Sequence, residues 1–142
     1  IKAGEMFARI NNFERALPYF ERANKIKPDD YRLIVILGNT NFDLNKFEAA
    51  QTWYETALKK DDKDVNVRTD LGLTYFLRTP KDIERAIKEY KAALAIKPDF
   101  ELALQNLAVA YREKNDAAGL TETLAALEKV NPSNPVIQRL KQ

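Results

Sequence analysis

Small and large apolar residues alternate along this chain in a pattern that recurs at a fixed step. Ala16, Phe20 and Ala23 recur as Ala50, Tyr54 and Ala57, then as Ala86, Tyr90 and Ala93, and more loosely as Leu120, Leu124 and Leu127. The spacing within each set is three or four residues, which places each set on one face of a helix. Upstream of the sets lie Gly4, Gly38, Gly72 and Ala108, and the three glycines stand 34 residues apart. A fixed period in this range belongs to stacked supersecondary units. The pattern predicts antiparallel helix pairs. Two helices approach closely only where side chains are small, so Gly38 on a first helix faces Ala50 and Ala57 on a second. Leu37 and Tyr54 then fill the volume alongside, at the density of an interior.

The breaks between pairs fall at Pro28-Asp29-Asp30, Asp61-Asp62-Lys63-Asp64, Pro98-Asp99 and Pro132-Ser133-Asn134. Proline ends a helix because it lacks a donor and clashes with the preceding turn. Asp or Asn then caps the next helix through its side-chain oxygen. Asn134-Pro135 follows the cap-then-proline order. Within pairs, Asn11 with Glu14 and Asn45 with Glu48 read as capping boxes of the second helix. The third unit is two residues longer than the others, near Thr79-Pro80. Thr79 as a cap with Pro80 as first helical residue would lengthen the start of that second helix. Residues 135–142 begin a further helix with Val136, Ile137 and Leu140 on one side.

The third unit reads Leu71-Gly72, Tyr75, Ala86, Tyr90, Ala93, Pro98, and the second Leu37-Gly38, Ala50, Tyr54, Ala57. The first carries Gly4, Phe7, Ala16, Phe20, Ala23 and Pro28, and the fourth Leu107-Ala108, Tyr111 and Pro132. This spacing resembles the tetratricopeptide repeat (TPR) over nearly the whole chain. The resemblance implies an all-α fold, a right-handed α-solenoid of stacked antiparallel helix pairs. It divides a single domain, 1–142, into a partial repeat at 1–30 and repeats at 31–64, 65–100 (with the insertion) and 101–134. Residues 135–142 start a capping helix or a truncated next repeat. Departures from the family pattern are Asn41 at an aromatic position and Asp62 at the closing proline. Leu120 and Leu127 replace alanines, which would set the fourth pair slightly farther apart.

With 45% apolar and 31% charged residues, the composition is that of a packed helical domain. The net charge of +2 is too small to point to nucleic acid or an anionic membrane. The longest strongly apolar run is Leu33 to Leu37, far short of a membrane span, so no membrane insertion is expected. No signal peptide is visible. Ile1 falls mid-repeat, which suggests a piece of a longer protein. Targeting information is then missing, and the compartment, cytoplasmic or periplasmic, stays open.

Chemistry finds little purchase. The chain has no histidine and no cysteine, which removes the commonest general base, the commonest metal ligand and any thiol nucleophile. Asp61, Asp62 and Asp64 lack the glycine and distal glutamate of a calcium loop. Ser133, in a turn, has no nucleophile elbow around it. No glycine-rich loop cradles a phosphate. An enzymatic role is rejected, and no cofactor or metal is expected. Glu84, Arg85, Lys88 and Glu89 alternate in sign and read as a mixed-charge helix face.

The resemblance also implies a site. In the family the first helix of each unit lines a concave face. By position that face collects Glu5, Ala8 and Arg9, then Arg32, Val35, Asn39, Phe42 and Asp43. It continues with Asn66, Thr69, Leu73, Phe76 and Leu77, then Leu102, Gln105, Asn106, Val109 and Arg112. Its centre is apolar at Val35, Phe42, Leu73, Phe76, Leu77 and Val109, and carries carboxamides at Asn39, Asn66, Gln105 and Asn106. Carboxamides both donate to and accept from a peptide backbone, so an extended or helical peptide of a protein partner is the expected ligand. The family's two-carboxylate clamp for chaperone C-terminal tails maps to Val35, Asn39, Asp70, Leu102 and Asn106. Only Asn39 matches, and Asp70 would repel a carboxylate, so that tail is set aside. Tyr19 and Trp53, 34 residues apart on successive second helices, form a second candidate surface. Self-assembly into a homo-oligomer, or an accessory role within a larger protein, is the alternative to peptide capture.

Overall fold

The computed structural model describes residues 2–141; Ile1 and Gln142, at the ends of the predicted first and last segments, lie outside them. The described chain is helical throughout and contains no strand. In order come α1 (Lys2–Arg9), α2 (Phe13–Ile26), α3 (Tyr31–Asp43), α4 (Phe47–Lys60), α5 (Val65–Leu77), α6 (Ile83–Ile96), α7 (Glu101–Lys114), α8 (Ala117–Val130) and α9 (Pro135–Lys141). The chain forms two compact units, residues 1–62 and 63–142.

In the first unit α1 packs on α2, α2 on α3 and α3 on α4. In the second unit α5 packs on α6, α6 on α7 and α7 on α8, while α9 packs on both α7 and α8. The recurring residues build these contacts. Ala16, Ala50, Ala57, Ala86 and Ala93 are completely buried, and Phe20, Tyr54 and Tyr90 nearly so. The glycines show how tight the nesting is. A Cβ on Gly38 would lie 2.5 Å from Cε1 of Tyr54, and one on Gly72 2.7 Å from Cε1 of Tyr90. The fourth pair inverts the arrangement. Ala108 shares a core cluster with Leu124 and Leu127, and the close approach moves to Gly119 of α8, where a Cβ would lie 2.8 Å from the ring of Tyr111 on α7.

Asp30 and Asp64 cap α3 and α5, accepting from the backbone N–H of Leu33 and Val67 at 3.2 Å each. Asn134 accepts from Val136 N–H at 2.9 Å where α9 begins. Asp99 does not cap α7: the cap position falls on Phe100, whose side chain carries no acceptor for the bond. Asn11 and Asn45 are not N-caps either. Both have left-handed backbone, φ 58° and 60°, as does Asn115 at 61°. The N–H groups of Asn12, Lys46 and Asp116 bond back to the carbonyls of Phe7, Asn41 and Tyr111 at 2.8, 2.8 and 3.0 Å. These are the six-to-one bonds that close a helix C-terminus, and asparagine tolerates the left-handed turn they need. Asn12, one residue on, caps α2 through Arg15 N–H.

The two-residue insertion does not lengthen α6, which has 14 residues like α4. It loops out at 79–81, and Asp82 caps the helix by accepting from Arg85 N–H at 3.0 Å. The closing bond survives the detour: Asp82 N–H still reaches the carbonyl of Tyr75 at 2.9 Å. The expected solvated charge face on α6 also needs correction. Glu89 is only 4% exposed. Its Oε1 accepts from Arg68 Nη1 of α5 and its Oε2 from Arg85 Nε, both at 3.0 Å.

The last helix closes the core of the second unit. Val136, Ile137 and Leu140 are buried against Leu104, Ala108, Leu124 and Leu127. Arg112 Nη1 donates to the carbonyl of Leu140 at 3.0 Å. At the other end of α9, Glu101 Oε2 accepts from Nδ2 of Asn131 at 2.8 Å and of Asn134 at 2.7 Å. Those two bonds hold the Glu101 carboxyl below its ordinary pKa.

Candidate functional site

Residues of the first unit enclose an open cleft of about 420 Å³. Ala8, Phe13, Phe20 and Ile36 give it apolar walls, and Glu5, Arg9, Arg32, Asn39, Thr40 and Asp43 give it polar ones. Six of these, Glu5, Ala8, Arg9, Arg32, Asn39 and Asp43, belong to the expected inner face. The three-to-four spacing of α1 and α3 aims them at one space.

Each polar group has a distinct local role. Arg32 Nη2 pairs with Glu5 Oε1 at 2.9 Å and joins α3 to α1. Asn39 is exposed, yet its Oδ1 accepts from the Tyr54 hydroxyl at 2.8 Å. That bond fixes the carboxamide orientation and leaves its Nδ2 as a donor toward solvent. Thr40 is turned onto its own helix, its hydroxyl donating to the Ile36 carbonyl at 2.8 Å. Partial burial raises the Asp43 carboxyl above its usual pKa. Val35 and Phe42 are half-buried and stand outside the cleft wall. Phe42 packs edge-on against Phe47 at 5.3 Å between centroids.

In the second unit the expected residues separate into two groups. Asn66 and Leu77 are exposed, and Leu73, Gln105, Asn106 and Val109 are half-buried. Phe76 is buried, with Lys81 Nζ 4.3 Å from its ring centroid. Thr69 is also buried, its hydroxyl donating to the Val65 carbonyl at 2.7 Å, so it belongs to the core and not to an open face. Gln105 Oε1 accepts from Asn134 Nδ2 at 3.1 Å. Asn106 Nδ2 is buried with no acceptor. Val109 packs on the cluster closed by α9.

Both aromatics of the second candidate surface are half-buried and also pack within the first unit. Tyr19 stacks on Phe7 at 5.6 Å, with Arg22 4.7 Å above its ring. Trp53 packs on the cluster of Ala16, Leu17, Phe20, Leu33 and Leu37. Two features escape sequence reading: the Glu5–Arg32 pair and the tether of Asn39 to Tyr54. Both join residues on different helices, and local spacing gives no signal for them.

Among the described residues no group of three His, Cys, Asp or Glu side chains could hold a metal ion. No described helix is long and apolar enough to cross a membrane.

Residues 11–69 match the family described as the tetratricopeptide repeat. Protein PHOX3 of Arabidopsis thaliana is 28% identical over 113 residues, 74% of this chain and 14% of that protein. The peroxisomal targeting signal receptor of Saccharomyces cerevisiae is 28% identical over 119 residues, 82% of this chain and 19% of that protein. The chain thus spans a small part of either relative. YrrB, a TPR protein with an unusual peptide-binding site, superposes with a TM-score of 0.88 at 19% identity, over 98% of this chain and 71% of that one. Helix pairs nested on a recurring glycine–aromatic contact thus carry a tetratricopeptide repeat match over residues 11–69 and share the fold of YrrB.

Proposed function

We propose that the chain is a protein-binding module that takes a peptide or helix of a partner on the faces of its first helices. The observation that carries this reading is the cleft of the first unit, whose apolar walls end in polar groups. Recognition sites combine apolar area for affinity with a few placed polar groups for orientation. Asn39, held by Tyr54, is such a group. In the second unit Asn66, Leu73 and Leu77 offer a similar mixture at partly or largely exposed positions. The family match over residues 11–69 supports the reading, as does the peptide-binding site named for YrrB. The test is loss of a co-purifying partner. Leu73→Asp and Leu77→Asp should abolish capture with helicity intact, whereas Trp53→Ala should not; the reverse pattern overturns the reading.

A further inference from the structure

Two charges in the cleft of the first unit stand apart from the rest. Glu5 and Arg32 neutralise one another at 2.9 Å, and Asn39 is committed to Tyr54. Arg9 and Asp43 occupy the same place in successive first helices, 34 residues apart. Both line the cleft, and neither side chain has an ion-pair or hydrogen-bond partner among the described residues. The cleft therefore offers one unanswered cation and one unanswered anion around the apolar walls of Ala8, Phe13, Phe20 and Ile36.

We propose that this cleft selects a mixed-charge peptide segment, seating a lysine or arginine of the partner on Asp43 and a carboxylate on Arg9. The inference rests on the reading of the chain as a peptide-binding module and narrows it to a ligand class. The chemistry follows from the groups present. A lysine or arginine side chain has an aliphatic stem that lies on apolar walls while its head meets a carboxylate. Arg9 presents a planar fork of donors that matches a carboxylate. Partial burial of Asp43, which holds its carboxyl above the ordinary range, makes an incoming cation the natural remedy. A purely acidic segment would set a charge against Asp43, and a purely basic one against Arg9. Complementarity of this kind decides partner choice more than total affinity.

The experiment uses four end-capped peptides on one alanine–leucine frame: lysine and glutamate four positions apart, lysine alone, glutamate alone, and glutamine at both places. Binding is followed by amide resonances of the labelled chain. The lysine–glutamate peptide should bind about tenfold more tightly than the glutamine peptide, the gain expected of two partly exposed ion pairs. It should shift Arg9, Asn39 and Asp43. Asp43→Asn should erase the gain from lysine alone, and Arg9→Gln the gain from glutamate alone; both side chains are exposed, so the fold survives. Equal affinity across the four peptides, no binding at the highest soluble concentration, or gains untouched by both variants would overturn the proposal. If the equal-affinity peptides shift Leu73, Leu77 and Val109 instead, the cleft assignment falls while the module reading stands. Shifts confined to Tyr19 and Trp53 would remove both.

Discussion

The hydroxyl of Tyr54 donates to Oδ1 of Asn39 at 2.8 Å, while the ring of the same tyrosine lies against the backbone of Gly38. One buried side chain thus sets both the closeness of α3 to α4 and the aim of a carboxamide in the candidate site. The core position and the candidate-site position are adjacent in sequence, so the contact that builds the fold also orients the proposed binding face.

Gly38→Ala should destabilise the chain. Alanine raises helix propensity by about 1 kcal/mol over glycine. The added Cβ would lie 2.5 Å from a ring that is 1% exposed and hydrogen-bonded, so it cannot swing aside. Overpacking of this kind costs about 1–3 kcal/mol, and the net expectation is a loss of roughly 1 kcal/mol. Urea unfolding measures it; a variant as stable as the parent would contradict the nesting.

Ala57→Glu and Ala93→Glu drive a carboxylate into contacts where no solvent reaches the native side chain. An unpaired buried charge is costly enough that a loss above about 4 kcal/mol is expected, with helicity reduced or abolished at ambient temperature. Circular dichroism and the melting curve check this. Native helicity and melting temperature in either variant would sink the repeat register.

Glu89→Ala removes the acceptor shared by Arg68 and Arg85. Arg68 is mostly covered and Arg85 is partly exposed, so only part of the usual penalty for breaking a buried pair applies, about 2–3 kcal/mol. The companion Glu84→Ala, whose carboxylate pairs with Lys114 near solvent, should cost under about 1 kcal/mol. Comparable losses in the two variants would contradict the burial assigned to Glu89.

Glu101 supplies a pH dependence with a definite sign. Hydrogen bonds from Asn131 and Asn134 lower its folded pKa below the ordinary value of 4.5. Its contribution is therefore present above the unfolded pKa and fades as pH falls through the folded one. The gap in melting temperature between the parent and Glu101→Gln should be widest near neutrality and shrink in acid. A gap independent of pH would argue against these bonds.

The helix pairs were legible because each one uses the same few contacts, and those contacts demand particular sizes at particular spacings. Gly38, Ala50, Tyr54 and Ala57 carry that signal without context. Asn11 and Asn45 did not reveal their role, since asparagine suits both a helix N-cap and a left-handed C-terminal turn. Glu89 read as solvated because its partner Arg68 lies on another helix, beyond any local pairing rule. Gly119 and Tyr111 keep the small-against-large contact but exchange the helices that supply it, which hides it from a letter-by-letter match. At the site, α1 and α3 residues such as Asn39 and Asp43 are placed by the concave-face geometry that the resemblance implies, and helical spacing adds only that each set shares one face. Thr69 and Phe76 lie on the expected face by the same spacing, but packing within the second unit buries them.

Site-specific photocrosslinking in the cell of origin tests the central claim most directly, with a photoreactive residue placed in turn at Asn39, Asn66, Leu77, Tyr19 and Trp53. The first-helix positions Asn39, in the first unit, and Asn66 and Leu77, in the second, should each crosslink a partner peptide located by mass spectrometry. Crosslinks confined to Tyr19 and Trp53 would contradict the assignment of binding to the first-helix faces.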